Sequence, residues 1–252
     1  MPLTITRFAP EGLSSAETSK SLATDRQSAS YKLEYFDVSG LGALPRDILS
    51  FGGARWEDLA LTNWPNEVKS PFGVFPVLHI KTADGRELRL AESIIIDHYL
   101  AKQFGLLGNN EWEELQIKMF HSSLHFIRER LTMRVTWNYK EVQEKAMDYF
   151  LKTSLPVWIE THTKHLKDNG SNGHYVGNKL SLADLQLANV IDHIECLHEG
   201  DQIVQRIKEG SPELWKVKET VDNEPRLQEW RQSEGYKKHV AFSRTVYANA
   251  GI

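Results

Sequence analysis

Cysteine is nearly absent from this sequence: Cys196 is the single thiol among 252 residues. Because one thiol cannot close an internal disulfide, the sequence predicts a protein of a reducing compartment, and we expect a cytoplasmic location. Ile194 and Leu197 lie beside the cysteine in an apolar stretch. Unpaired cysteines in such stretches usually pack as small hydrophobic side chains, so we predict a structural residue rather than a nucleophile.

Clustered basic residues and long apolar runs are also lacking. The formal net charge is -4, whereas a nucleic-acid surface requires a concentrated patch of lysine and arginine. The apolar run at residues 93–100 is short and is interrupted by Asp97, and a bilayer-spanning helix needs roughly 18 apolar residues. We therefore expect neither a nucleic-acid nor a membrane partner.

Metal-ligand spacing is missing from the ten histidines. His121 and His125 stand four residues apart, which would bring both to one face of a helix, but no third ligand accompanies them. No cysteine lies near Tyr35 or the turn after it, which argues against a thiol–disulfide redox enzyme. We therefore expect no metal and no dithiol chemistry.

The first half of the chain alternates strand, helix and turn signals. Residues 1–28 are rich in serine and threonine without a period, and we predict a flexible extension there. Residues 31–36 alternate as a strand, Asp84-Gly85 is a hairpin turn, and Ser93 opens a helix. The order strand–helix–strand, then hairpin and helix, predicts one α/β domain over residues 29–105.

The second half is helical by its periodicity. Apolar residues recur at helical spacing from residue 111 onward, and residues 182–196 are apolar on nearly every side, which is typical of a helix buried in a core. Ser181 and Asp184 have the spacing of a capping box just before that helix. We predict a linker over residues 106–112 and an all-helical domain over residues 113–252.

Three local features leave both structural and functional interpretations open. The Phe75-Pro76 bond is either an ordinary trans proline bond or a cis bond that turns the backbone outward toward an extended peptide ligand. Ser93 is either the N-cap of its helix or part of an anion site at the helix N-terminus. Tyr35, before a glycine-containing turn, is either a core aromatic or a functional hydroxyl.

The order of these motifs resembles the cytosolic glutathione S-transferases, and the tyrosine-type sigma class in particular. The resemblance rests on residues 31–36, 64–65, 71–78 and 92–100 in the first half and on residues 175–184 in the second. It implies a thioredoxin-like N-terminal domain of βαβ-ββα order, followed by the all-helical C-terminal domain of that family. It also implies glutathione as the cosubstrate and a homodimer, in which Phe72 is the aromatic residue that inserts into the partner subunit.

The resemblance assigns roles to individual residues. Tyr35 corresponds to the catalytic tyrosine that stabilises the glutathione thiolate. The glutathione-binding set adds Trp64 and Lys69 at the glycine end, Phe75 with a cis Pro76 at the cysteinyl unit, and Glu92 with Ser93 at the γ-glutamyl end. The electrophile pocket is bordered by Phe36, Gly40, Arg128 and Thr132.

Two positions depart from the sigma pattern. Leu41 stands where the class often has an arginine that polarises the tyrosine and the thiol, which predicts weaker activation. The carboxylate that the partner subunit supplies in that class aligns near His125 or Phe126, so the cross-dimer contact to the glutathione amine is not expected in its usual form. Glu92, in place of a frequent glutamine, is a candidate to supply that charge instead.

The sequence thus predicts a glutathione transferase that activates the glutathione thiol for attack on hydrophobic electrophiles. Two alternatives share the fold: a non-catalytic glutathione-binding scaffold, and a glutathione-dependent isomerase similar to prostaglandin D synthase. Loss of the arginine favours the scaffold, whereas retention of Tyr35 opposes it. Ser39, in the same turn, is the next candidate donor because other classes of the family use a serine.

Overall fold

The computed structural model of the protein describes residues 2–23, 28–61 and 64–250. The chain forms two compact units, Met1–Phe104 and Gly105–Ile252. The first is a mixed α/β unit and the second is helical throughout its described elements, so the predicted fold class is confirmed.

The first unit is built on a mixed sheet. Its described elements, in chain order, are β1 (Leu3–Ile5), α1 (Ser15–Ala23), β2 (Ser30–Tyr35), α2 (Ala43–Phe51), β3 (Arg55–Ala60), β4 (Val68–Ser70), β5 (Val77–Lys81), β6 (Glu87–Ala91) and α3 (Ser93–Gln103). Four strands form a sheet of order β3-β2-β5-β6, with β2 parallel to β3 and antiparallel to β5, and β5 antiparallel to β6. Tyr31, Leu33 and Tyr35 are buried at alternate positions of β2, as the period of a strand requires.

Residues 2–23, which the sequence predicts as a flexible extension, contain a strand and a helix in the structure. β1 pairs in parallel with β4, and Ser14 and Glu17 form a reciprocal cap at the start of α1. Ser21 of α1 is buried, and its hydroxyl donates to Asp84 Oδ2 at 2.8 Å. The prediction overlooked the Ser14-x-x-Glu17 spacing, and the part of it that falls on residues 24–27 lies outside the described residues.

The second unit is an assembly of helices. Its described helices are α4 (Glu111–Leu131), α5 (Lys140–Tyr149), α6 (Leu155–Asp168), α7 (Leu182–Glu195), α8 (Gly200–Gly210), α9 (Pro212–Asp222), α10 (Pro225–Gln232) and α11 (Glu234–Ala248). Single π-helical turns follow α4 at Thr132–Thr136 and α5 at Phe150–Ser154. The predicted linker 106–112 is part of this unit in the structure, because Leu106 is fully buried and its carbonyl accepts from the Leu182 amide at 3.0 Å.

Helix α7 forms the centre of the second unit. Its capping box is present as predicted, and both the amide and the hydroxyl of Ser181 donate to Asp184 Oδ2, at 2.8 and 2.9 Å. Cys196 follows the helix and is buried, and desolvation raises the pKa of its thiol to about 11. The predicted structural role of the cysteine is therefore confirmed. Across the described ranges, every helix is too short or too polar to cross a bilayer.

Candidate active site

Tyr35 is the last residue of β2, and the turn that follows wraps closely around its ring. The ring is 7% exposed, and its hydroxyl oxygen accepts a hydrogen bond from the Leu41 amide at 3.0 Å. A Cβ atom at Gly40 would lie 2.5 Å from that hydroxyl, and one at Gly42 would lie 2.6 Å from the ring. Both positions therefore need glycine, because only a residue without a side chain lets the backbone approach this closely.

Leu41, at the position where the family resemblance led us to expect an arginine, contributes to this geometry through its backbone. An amide that donates to the tyrosine oxygen uses one lone pair of that oxygen and does not use the phenolic proton. The Leu41 amide thus helps to hold the Tyr35 hydroxyl in place.

Arg46, which the sequence reasoning missed, lies beside Tyr35 inside the first unit. Its side chain is 2% exposed, its Nε donates to Asp58 at 3.0 Å, and its guanidinium lies 5.7 Å from the centre of the Tyr35 ring. The same guanidinium donates to the carbonyls of Val38 at 2.8 Å and Phe36 at 3.2 Å. It therefore fastens the turn after Tyr35 to strand β3, and it places a positive charge next to the aromatic ring.

A sequence signal for Arg46 did exist. The residue lies near the N-terminal end of α2, where the helix dipole disfavours a cation. Leu44, Ile48 and Leu49 of the same helix are buried. An arginine on this buried face of α2 needs a polar partner inside the protein. In the structure its partners are Asp58 and the backbone carbonyls of the turn.

Aromatic rings gather beside Tyr35. The Phe36 ring lies 5.3 Å from that of Tyr35, 5.4 Å from that of Trp64 and 6.2 Å from that of Phe75, in edge-to-face contacts. The Phe75-Pro76 bond is cis, which resolves the alternative that the sequence left open. The first unit thus brings together one residue predicted for the electrophile pocket and three predicted for glutathione.

Lys69 lies in β4, beside Thr4 of β1. Its ammonium group pairs with Glu67 at 2.8 Å, and its side chain is 58% exposed. Such an exposed pair stabilises little. The lysine is therefore accessible to an anionic group from solution.

Glu92 and Ser93 stand at the N-terminus of α3. The N-cap residue is Glu92, so the alternative of Ser93 as the N-cap is wrong, and Ser93 is the first residue of the helix. Glu92 has a φ of 70°, in the region that side chains rarely adopt, and its side chain makes no capping hydrogen bond. Strained residues of this kind cluster at binding sites, and a helix N-terminus attracts negative charge.

The two remaining residues predicted for the electrophile pocket belong to the second unit. Arg128 and Thr132 are 6% and 7% exposed. The Thr132 hydroxyl donates to the Arg128 carbonyl at 2.8 Å and lies 2.8 Å from Nε2 of His193. Burial, with the nearby Arg128, lowers the pKa of His193, so its ring is neutral. Phe36 and Gly40 belong to the other unit, and the pocket as a whole stays a prediction.

No cluster of three or more potential metal ligands occurs in the ranges that the structure describes. His121 and His125 have ring centres 6.4 Å apart.

A thioredoxin-like sheet with a tyrosine at the end of its first long strand, a cis-proline segment and a helical second unit defines the class of protein. A family model of the glutathione S-transferase C-terminal domain matches residues 127–234. A glutathione S-transferase of Anopheles gambiae is 30% identical over 77% of this chain and 92% of its own, and glutathione S-transferase 1 of Ascaris suum is 32% identical over 79% and 94%.

Solved structures agree with the curated relatives. The prostaglandin synthase D of Nilaparvata lugens superposes with a TM-score of 0.68 at 27% identity, over 81% of this chain and 98% of that one. The sigma-class transferase of Fasciola hepatica, 23% identical with a TM-score of 0.69, shares the fold. The chain belongs to the glutathione S-transferase family, as its sequence predicts.

Proposed function

We propose that this glutathione transferase uses the Tyr35 hydroxyl to stabilise the glutathione thiolate for attack on hydrophobic electrophiles. The observation that carries the proposal is the hydroxyl held by the Leu41 amide at 3.0 Å, in a turn that the buried Arg46 fixes. This arrangement supplies an oriented donor. Arg46 adds a positive charge near the ring where Leu41 lacks one.

The chemistry requires such a donor because only the thiolate of glutathione attacks readily. Hydrogen bonds to charged groups contribute about 1.5–3 kcal/mol. At 1.36 kcal/mol per unit, one such bond lowers the thiol pKa by about one to two units. The thiolate fraction at neutral pH rises accordingly, and Tyr35 acts as a fixed donor rather than as a base.

Glutathione itself is assigned to the surface around β4 and the start of α3. Its glycine carboxylate is assigned to Trp64 and the exposed Lys69, and its cysteinyl backbone is assigned to the segment at Phe75 and Pro76. Its γ-glutamyl end fits Glu92 and Ser93, where the free amides of α3 attract the carboxylate and the Glu92 carboxylate attracts the amine.

The second substrate in this proposal is a hydrophobic electrophile, and Phe36 and Gly40 are the residues of the first unit that are proposed to meet it. Apolar walls with few polar groups are typical of pockets that accept varied small molecules. A detoxification role in the cytoplasm follows from this chemistry and from the single reduced thiol.

A homodimer completes the proposal. Phe72 is 57% exposed, and a large apolar side chain of this kind is a candidate for insertion into a partner. The partner in this proposal is a second copy of the chain.

The isomerase alternative is favoured by one observation, the likeness to the prostaglandin synthase of Nilaparvata lugens. Retention on immobilised glutathione, followed by assays of conjugation to an aromatic halide and of prostaglandin isomerisation, separates the three functions. Conjugation supports the transferase, isomerisation alone supports the isomerase, and retention without either supports the scaffold.

A further inference from the structure

The segment at residues 64–76 carries four of the residues assigned to glutathione, and it includes the short strand β4. Within the described residues, β4 pairs with β1 and with no other strand. The extended backbone around Lys69 is therefore held by residues 2–8, called here the N-terminal arm.

The pairing is a parallel ladder closed at both ends. The Val68 amide donates to the Pro2 carbonyl at 3.2 Å, and the Thr6 amide donates to the Ser70 carbonyl at 3.2 Å. Between them, Thr4 stands directly beside Lys69. Each end of β4 thus has a hydrogen bond to the arm.

The arm continues from β4 to the main sheet. The Arg89 amide of the edge strand β6 donates to the Phe8 carbonyl at 2.7 Å. The Phe8 ring lies edge-on against Phe72 at 5.4 Å, and a Cβ atom at Gly73 would lie 3.1 Å from the Leu3 side chain. The arm therefore connects the segment 64–76 to the four-stranded sheet.

Helix α1 anchors the chain beyond the arm. The Ser21 hydroxyl bonds to Asp84, and Arg86 Nη1 donates to the same hydroxyl at 2.6 Å, both in the β5–β6 hairpin. Hydrogen bonds from Thr82 and then Ser21 lower the pKa of the Asp84 carboxyl. The chain is thus fixed to the sheet on the C-terminal side of the arm.

The arm contributes little to the core. Leu3, Ile5 and Phe8 are 55%, 62% and 49% exposed, so none of them is a core residue. Its backbone hydrogen bonds go to β4 and β6. These bonds fix the backbone of the segment that they join.

We propose that the N-terminal arm is a positioning element for glutathione binding, which holds residues 64–76 in the binding conformation by strand pairing. The proposal rests on the assignment of Trp64, Lys69 and Phe75 to glutathione. The arm acts on affinity and leaves the Tyr35 chemistry unchanged, since the hydrogen bonds described above join it to β4 and β6. If its loss reduces the ordered fraction of the segment to about one tenth, the Kd of glutathione rises about tenfold.

Two variants of the full chain test the proposal. Thr6→Pro removes the amide that donates to Ser70, and Phe8→Ala removes the ring against Phe72. Arg7→Ala is the matched control, because Arg7 lies between them and pairs with Glu11 at the surface, with both side chains more than half exposed. Hydrogen exchange of residues 66–72, calorimetric glutathione affinity, the kcat and KM of conjugation, and the mass in solution are measured for each.

The expected result is faster exchange at residues 66–72 and an increase of about tenfold in Kd and KM for Thr6→Pro, with kcat and the thiol pKa unchanged. Phe8→Ala should also show faster exchange and weaker glutathione binding. Arg7→Ala should change neither the exchange rate nor the affinity. Unchanged exchange and affinity in both variants overturn the proposal, and so does a loss of affinity that appears only when the dimer dissociates. If the wild-type chain fails to bind glutathione, the proposed function fails, while the exchange measurement still decides whether the arm orders the segment.

Discussion

Replacing Tyr35 by phenylalanine removes one oxygen and keeps the ring contacts with Phe36 and Arg46. The Leu41 amide then loses its acceptor, which costs about 1 kcal/mol of unfolding free energy. That loss is small against the stability of a domain of this size, so the variant should fold. Glutathione should still bind, because its other assigned contacts are untouched.

Tyr35→Phe should mainly change the rate of conjugation. Loss of one hydrogen bond to the thiolate, at about 1.5–3 kcal/mol, raises the pKa of the bound thiol by about one to two units. Conjugation near neutral pH should therefore fall roughly tenfold to a hundredfold, and the pH profile should move upward by the same number of units. Ultraviolet difference absorption of the bound thiolate measures that pKa directly.

Ser39→Ala is the matched control, since Ser39 lies in the same turn. The tyrosine assignment is refuted if Tyr35→Phe leaves rate and profile unchanged, or if the wild type shows no depressed thiol pKa. A loss of activity in Ser39→Ala instead would transfer the role to the serine. If neither change matters and glutathione still binds, the scaffold is the correct function.

Four further predictions test other parts of the structure. Gly40→Ala should lower the rate through its clash with the Tyr35 hydroxyl. Gly53→Ala is the control, because Gly53 also has a positive φ but a Cβ atom added there would meet nothing within 4 Å. Equal losses of rate in both variants would exclude the clash as the cause. Ser93→Ala should weaken glutathione binding by about 1.5–3 kcal/mol in calorimetry, and unchanged affinity in the folded variant would remove Ser93 from the site. Phe72→Ala should shift the dimer toward monomer in light scattering at micromolar concentration, and a wild type that is itself monomeric contradicts the dimer. Burial lowers the pKa of His162 to about 4 from 6.5, so its stabilising effect is present above pH 6.5 and is lost as pH falls toward 4. His162→Gln should make unfolding free energy less dependent on pH in that window, by about 3 kcal/mol in total.

Local chemistry explains what the sequence could predict. The cap at Ser181 and Asp184 and the hairpin at Asp84-Gly85 depend on residues within three positions of each other, so their spacing is readable directly. The cis bond before Pro76 was left open by local reasoning, and only the resemblance to a family favoured it.

Long-range contacts explain what the sequence could not predict. The strand at Leu3–Ile5 has three residues, and its partner Val68 is more than sixty positions away. A strand so short has no measurable period, and nothing local to it specifies the partner. Leu106 was assigned to a linker for the same reason. Its carbonyl accepts from the amide of Leu182, which is far from it along the chain.

The positive φ of Glu92 has a thermodynamic consequence for ligand binding. A residue with a side chain in such a conformation costs of the order of 1–3 kcal/mol, and glycine would avoid most of that cost. Where the fold itself holds a residue in such a conformation, the cost reduces the free energy of unfolding. If glutathione binds at the N-terminus of α3 as proposed, the orientation of the Glu92 backbone that it meets is maintained at the expense of fold stability.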